Sequence, residues 1–276
     1  MKNIFITDLD HTFLRNDLSV SDYTKNIWNS YALSSVLGIA TARTYMKTTQ
    51  FLGGVELNAP MILLDGALIA TKEKKIIDTK LISKDIGDMI IEEGWKFSIY
   101  PFILSLSDEK NLTEVFLHDE VLNSDQKTVL SRYSSADNLQ KHSGVRAMDS
   151  NFKIVYMGEE SLLRELYEHL VHVFGSSLKF IFAPEAYVGC YFLTILHPEA
   201  DKSHGIQSVQ EYLGFDLKNL TVFGDNLNDI GMFHLANTSV AMSNAQDEVK
   251  AKANVILEYS NDQDGVAKYL EGLRNG

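Results

Sequence analysis

The chain has 276 residues, long for one compact domain and comfortable for two. Its 45% hydrophobic and 22% charged residues describe an ordinary globular protein, which excludes a disordered or fibrous one. With 25 Lys and Arg against 37 Asp and Glu, the formal charge is −12, and so negative a surface argues against general nucleic-acid binding.

In chain order, Asn3-Ile-Phe-Ile-Thr is a short apolar run that stops at acidic Asp8, the pattern of a buried parallel strand. Ser21 is an N-cap for a helix expected to reach about Ser35. A second strand follows at Leu37-Gly-Ile-Ala-Thr, then a helix from near Thr44 and a third strand at Pro60-Met-Ile-Leu-Leu. Leu68–Thr71 and Lys75–Asp78 read as a hairpin leaving the sheet. From Ser83 to Ala186 the texture changes. Strand-like pieces at Lys96–Tyr100, Thr113–Leu117, Lys153–Met157 and Lys179–Phe182 mix with amphipathic helices, and Leu162–Val171 carries an apolar stripe at helical spacing. A strand ending near Leu196 precedes a helix at Ser203–Leu213. Strands at Leu220–Phe223, Ser239–Met242 and Val255–Leu257 then alternate with helices at Ile230–Leu235, near Asp247 and at Gly265–Leu273. Such alternation predicts an α/β fold: a doubly wound, Rossmann-like parallel-sheet core from residues 1–82 and 187–276, with an α+β domain, 83–186, inserted into it.

The sequence lacks a Gly-x-Gly-x-x-Gly or Walker signature, so dinucleotide and P-loop readings have no support. A single cysteine, Cys190, excludes an internal disulfide and a multi-cysteine metal site, and its apolar neighbours make it a buried structural thiol. The apolar stretch before Asp8 is too short for a signal peptide, and no run approaches the roughly 18 apolar residues of a membrane span. The cytoplasm is therefore the expected compartment, with no membrane partner.

Ligands of open α/β sheets bind at the carboxyl ends of the strands. Four such ends here carry reactive groups: Asp8-Leu-Asp10-His-Thr12, Thr41-Ala-Arg43, Gly224-Asp-Asn-Leu-Asn-Asp229, and Lys202 after the strand near Leu196. Two carboxylates about 4 Å apart repel by about 4 kcal/mol at an effective dielectric of about 20. A hard divalent cation such as Mg²⁺, bound through oxygen, answers that repulsion at Asp8 and Asp10, and Asp225 supplies a further oxygen. Taken singly, these features are an acidic turn, an N-cap at Thr41, an Asn/Asp/Gly turn and a solvated lysine. Together, in this order and at these places, they are much harder to ascribe to chance.

On these motifs the chain resembles the haloacid dehalogenase-like (HAD) superfamily of aspartyl-phosphate phosphohydrolases. Within it the match is to the Cof-like branch of sugar and small-metabolite phosphatases, which insert a large α/β cap between the second and third motifs. The resemblance spans nearly the whole chain and ends in Asp264-Gly-Val-Ala, the usual closing helix. It implies that Asp8 attacks phosphorus, that Asp10 protonates the leaving oxygen and then activates water, and that Mg²⁺ is held by Asp8, the Asp10 backbone carbonyl and Asp225. It further implies that Thr41, Arg43, Lys202, Asn228 and backbone N–H groups near Leu9 and Ala42 hold the phosphate, while Asp229 stands behind the ligands and orients them. The partner implied is a small phosphorylated metabolite chosen by the inserted domain.

The chain departs from the branch in four places. His11 stands where Gly is usual, Phe13 where Leu is common, Ala42 replaces Gly in Thr-Gly-Arg, and Leu64-Asp65-Gly-Ala replaces Asn-Gly-Ala and adds a carboxylate. His11 is expected to fill space rather than line an entrance. His118, His142, His169, His172, His197, His204 and His234 show no metal-ligand spacing with a partner acid. Two further readings share the motifs: a phosphomutase of the phosphomannomutase type, and a degenerate phosphatase that only binds a phosphorylated ligand. The presence of Asp8, Asp10, Lys202 and Asp225 places the last of these lowest.

Overall fold

The computed structural model describes residues 2–132, 138–185 and 189–275. Two compact units emerge, one from residues 1–79 with 201–276 and the other from 80–200.

The first unit is built on five parallel strands, in the order Val255–Ile256, Thr238–Ala241, Leu220–Gly224, Asn3–Thr7, Ser35–Ile39. Successive residues of a strand face opposite sides, yet Ile4, Phe5 and Ile6 are each only 1% exposed, so both faces of the sheet are covered. Register fixes where the strands end. Thr7 lies opposite Phe223 on one side and Ile39 on the other, so the three strands end at one level. The ladder continues one step further, with Asp8 N–H donating to the Phe223 carbonyl at 3.0 Å and Ala40 N–H to the Thr7 carbonyl at 2.9 Å. Asp8, Thr41 and Asp225 therefore leave the sheet along the same edge. The Met61–Leu63 strand touches the sheet through one bridge, Ala40 to Ile62, and otherwise pairs with Leu68–Ala70, which pairs with Ile76–Thr79 in an antiparallel ribbon.

Ser21 caps the first helix, Asp22–Asn29, by accepting from Thr24 N–H at 3.0 Å. The helix stops at Asn29, well short of the expected end near Ser35, which instead opens the second strand. Between helix and strand Asn58 ties the chain down: its amide donates to the carbonyls of Ala32 and Ser35 and accepts from Leu37 N–H at 2.6 Å, so a distant side chain satisfies backbone groups of the connecting turns. The last helix, Gly265–Asn275, is tied to the first through Asp264. That carboxylate accepts from Arg15 Nη2 at 2.7 Å, Ser21 Oγ at 2.7 Å and Thr24 Oγ1 at 3.0 Å. Burial works to raise the Asp264 carboxyl, but the bonds from Arg15, Ser21 and Thr24 outweigh it and hold it below its ordinary value.

The second unit is a six-stranded sheet in the order Lys179–Glu185, Cys190–Leu196, Asn151–Gly158, Phe102–Asp108, Thr113–Asp119, Leu139–His142. All neighbours are antiparallel except the last pair. The strands alternate. Ile103, Ile154 and Leu193 join Ile90, Ile91, Leu163, Leu166 and Leu170 of the helices Lys84–Trp95 and Glu160–Phe174 in one core, while Phe102, Val155 and Met157 pack with Val129 of the helix Ser124–Leu130.

Two expectations need correction here. Lys96–Tyr100 is not a strand but the turn that closes Lys84–Trp95, with Ser98 at φ 57°. Cys190–Leu196 does not end in the parallel sheet; Leu193 pairs with Tyr156 and with Phe182, so the strand and its buried Cys190 belong to the second unit. The second unit consequently runs to residue 200, and the expected boundary at 186/187 lies outside the described residues. Among the described residues no helix is long and apolar enough to cross a membrane.

Replacing Asp264 with Ala leaves the donors of Arg15, Ser21 and Thr24 without their acceptor. The expected loss of stability is about 2–3 kcal/mol, one or two charge-assisted hydrogen bonds. Urea denaturation followed at Trp28 in a Trp95→Phe background reads this unit alone. Because the folded carboxyl lies below its unfolded value, the contribution is complete at neutral pH. It fades only as pH falls below about 4 and through the folded value. A gap between wild type and variant that persists undiminished to the lowest pH would contradict this.

Candidate active site

Asp8 follows directly on Asn3–Thr7, an interior strand of the parallel sheet. Its backbone is fixed on both sides, since its N–H donates to Phe223 and its carbonyl accepts from Thr7 Oγ1 at 2.7 Å. Its carboxylate is buried, and Oδ1 receives Lys202 Nζ at 2.5 Å. The same ammonium donates to Asp229 Oδ1 at 2.7 Å. The other oxygen of Asp229 accepts Asp225 N–H at 2.9 Å and Asn226 N–H at 3.0 Å, which fixes the turn after Gly224. Asp225 Oδ1 in turn accepts from Thr12 Oγ1 at 3.0 Å.

One oxygen from each of Asp8, Asp225 and Asp229 lies within 4.8 Å of the others, against the single ammonium of Lys202. The charge is therefore unbalanced by more than one unit. Burial, then Asp229 and Asp225, push the Asp8 carboxyl well above its ordinary value despite the opposing pull of Lys202. Burial and Asp229 push Asp225 up to about 6. Burial also works against the charged form of Lys202, but Asp229 and Asp8 outweigh it and hold its pKa above the ordinary value. A hard divalent cation with oxygen ligands matches this donor set. Asp229 already accepts from three donors, which suits it to orienting Lys202 and the turn; Asp8 and Asp225 are the acids with capacity for an ion.

After Asp8 the chain makes a wide turn, Leu9–Phe13, closed by Leu14 N–H on the Leu9 carbonyl at 2.8 Å. Leu9 and Thr12 are buried within it, and His11 stands at φ 55°. That left-handed backbone explains why a glycine suits this position and why histidine, one of the more tolerant residues, is accepted. The His11 ring is exposed, with Nδ1 3.2 Å from Asn16 Oδ1, so it fills no interior space, contrary to expectation. Asp10 is half-buried. Its carboxylate stands apart from the other acids and takes two bonds from Arg43, Nε to Oδ2 at 2.7 Å and Nη2 to Oδ1 at 2.5 Å.

Thr41 is buried where the second strand gives out. Its N–H donates to the Ile62 carbonyl at 2.8 Å, its carbonyl accepts Asp65 N–H at 3.0 Å, and its Oγ1 accepts Arg43 N–H at 3.2 Å. Positive φ values in this region fall at Leu64, Asp65 and Gly66 and not at Ala42, so alanine at 42 carries no left-handed strain. Gly66, at φ 90°, presses on the residue before Lys202: a Cβ there would sit 2.1 Å from the Asp201 carbonyl oxygen. Asp201 is the N-cap of Lys202–Leu213, accepting from His204 N–H at 2.8 Å, so this contact sets where the lysine's helix begins. Asp65 is buried and accepts from Asn228 Nδ2 at 2.9 Å.

Asp8, Lys202, Asp225 and Asp229 thus converge, Asn228 joins them through Asp65, and Asp10 pairs with Arg43 at the edge. Sequence reasoning assigned no role to Thr12 or Gly66 and no partner to Asp65. A Thr two residues after the second acid, and a Gly following an acid at a strand end, were the available signals.

A family model described as haloacid dehalogenase-like hydrolase matches residues 5–270. The 5-amino-6-(5-phospho-D-ribitylamino)uracil phosphatase YwtE of Bacillus subtilis is 25% identical over 300 residues, covering 100% of this chain and 99% of that one. The pyridoxal phosphate phosphatase YbhA of Escherichia coli is 45% identical over 60 residues, 22% of each chain. A crystal structure of a haloacid dehalogenase-like hydrolase from Bacteroides thetaiotaomicron shares the fold, with a TM-score of 0.82 at 18% identity over 99% of this chain and 100% of that one. The chain belongs to the haloacid dehalogenase-like hydrolases, and its chemistry is that of a phosphoric monoester hydrolase.

Proposed function

We propose that this protein is a Mg²⁺-dependent phosphatase of small phosphorylated metabolites, sugar phosphates or similar monoesters of the cytoplasm, acting through an aspartyl-phosphate on Asp8. The observation that carries this reading is the state of Asp8: a buried carboxylate at the carboxyl end of a parallel strand, with one oxygen fixed by a lysine that Asp229 holds in place. The two relatives named for a phosphorylated ribitylaminouracil and for pyridoxal phosphate support the substrate class.

In this reading a carboxylate oxygen of Asp8 attacks phosphorus and the bond from phosphorus to the ester oxygen breaks. Asp10 gives its proton to the departing alkoxide. A water molecule then attacks the aspartyl-phosphate, Asp10 takes a proton from it, and inorganic phosphate and the Asp8 carboxylate are restored. Lys202 holds Asp8 in line and faces the charge that gathers on the equatorial oxygens, with Thr41, Arg43, Asn228 and the N–H groups of Leu9 and Ala42 as further donors. Mg²⁺ bound by Asp8, Asp225 and the Asp10 carbonyl would offset the repulsion between a carboxylate and a phosphate dianion.

Activity on a phosphate monoester panel is expected to vanish when divalent metal is stripped by a chelator and to return with Mg²⁺. Full turnover in excess chelator would sink the mechanism. Asp8→Asn should form no phosphoenzyme. Asp10→Asn should lose about 10²–10⁴-fold on sugar alcohol leaving groups. Nitrophenyl phosphate should suffer less, because nitrophenolate departs with little protonation. Rapid-quench trapping with mass spectrometry locates the label, and a phosphoryl group on a residue other than Asp8 would overturn the assignment.

A further inference from the structure

Both oxygens of Asp10 are occupied. Arg43 grips them with the Nε and Nη2 edge of its guanidinium, whose carbon lies 4.6 Å from the centre of the Phe51 ring. A carboxylate held in this fork has its best lone pairs turned to the arginine, and Asp10 is not one of the acids clustered at Lys202. Arg43 is itself on a short tether to Thr41, since its N–H donates to Thr41 Oγ1 and its carbonyl accepts Leu64 N–H at 3.1 Å. The two side chains are 23% and 35% exposed, so the pair is partly screened by solvent. A phosphate dianion offers the same fork more charge and an equally good pair of acceptor oxygens.

We propose that Arg43 is a positioning residue that parks Asp10 in the free protein and releases it when a phosphate group arrives. The guanidinium exchanges the Asp10 carboxylate for phosphate oxygens, with Phe51 keeping its plane within reach of both. Release then makes Asp10 available to the ester oxygen only once a phosphate is seated. The inference rests on the reading of Asp8 as the phosphate-accepting residue. It goes further in treating Asp10 and phosphate as competitors for one arginine.

Competition is measured with inorganic phosphate, titrated calorimetrically in Mg²⁺ into wild type, Asp10→Asn, Arg43→Gln and the double variant. Freeing the arginine should tighten phosphate binding about two- to fivefold in Asp10→Asn, the worth of a screened ion pair. The gain should shrink toward unity when Arg43 is already Gln. Removing a negative charge by itself would give an equal or larger gain in the Arg43→Gln background, and that result overturns the proposal. Wild type that fails to bind phosphate at all would overturn the site reading together with it, whereas binding without the coupling removes this inference alone.

Discussion

One ammonium group holds this site together. Lys202 is 1% exposed and lies between Asp8 and Asp229, with Asp225 close by. Taking such charges out of water costs several kcal/mol per ion, and their mutual attraction offsets it only when geometry is good and remaining lone pairs are filled. Here they are filled. Asp229 commits its second oxygen to two backbone N–H groups, so the lysine, the Asp225 turn and the nucleophile candidate form one connected unit. Burial first, and then the shortage of positive charge in the unit, raises the carboxyls of Asp8 and Asp225.

Several unrelated features of the fold serve that arrangement. Parallel register brings Asp8 and Asp225 out at one level, something an antiparallel pair would achieve only through a tight turn. The left-handed run Leu64–Gly66 sets the start of the lysine's helix by backbone contact, which explains why residue 66 has no Cβ. Asp264 bonds the first helix to the last and so closes the unit around the sheet. The cost of this organisation is a set of strained or desolvated groups gathered at one edge, as is common where function demands it.

Much of this was legible in the sequence because parallel strands buried on both faces are short apolar runs with abrupt ends, and Asp8 and Asp225 sit at such ends. The residue types placed there are what suggested a phosphate site. What escaped was long-range. The Thr12–Asp225 and Asn228–Asp65 bonds join residues 213 and 163 positions apart, and nothing local encodes either. The turns between the first helix and the second strand likewise lean on Asn58, far downstream. Cys190–Leu196 misled for a different reason: an apolar run of seven residues reads alike in a parallel and an antiparallel sheet, and only pairing with Asn151–Gly158 assigns it.

The acids around Lys202 are read as arranged for a divalent cation and as repelling one another without it. Thermal melts of wild type and Asp225→Asn, with and without Mg²⁺ and alongside calorimetric Mg²⁺ titration, test it directly. The expected result is that metal-free Asp225→Asn melts above metal-free wild type, because a buried repulsion is gone, while Mg²⁺ binds and stabilises wild type and leaves the variant unmoved. A metal-free variant less stable than wild type, together with a wild type indifferent to Mg²⁺, would contradict the account.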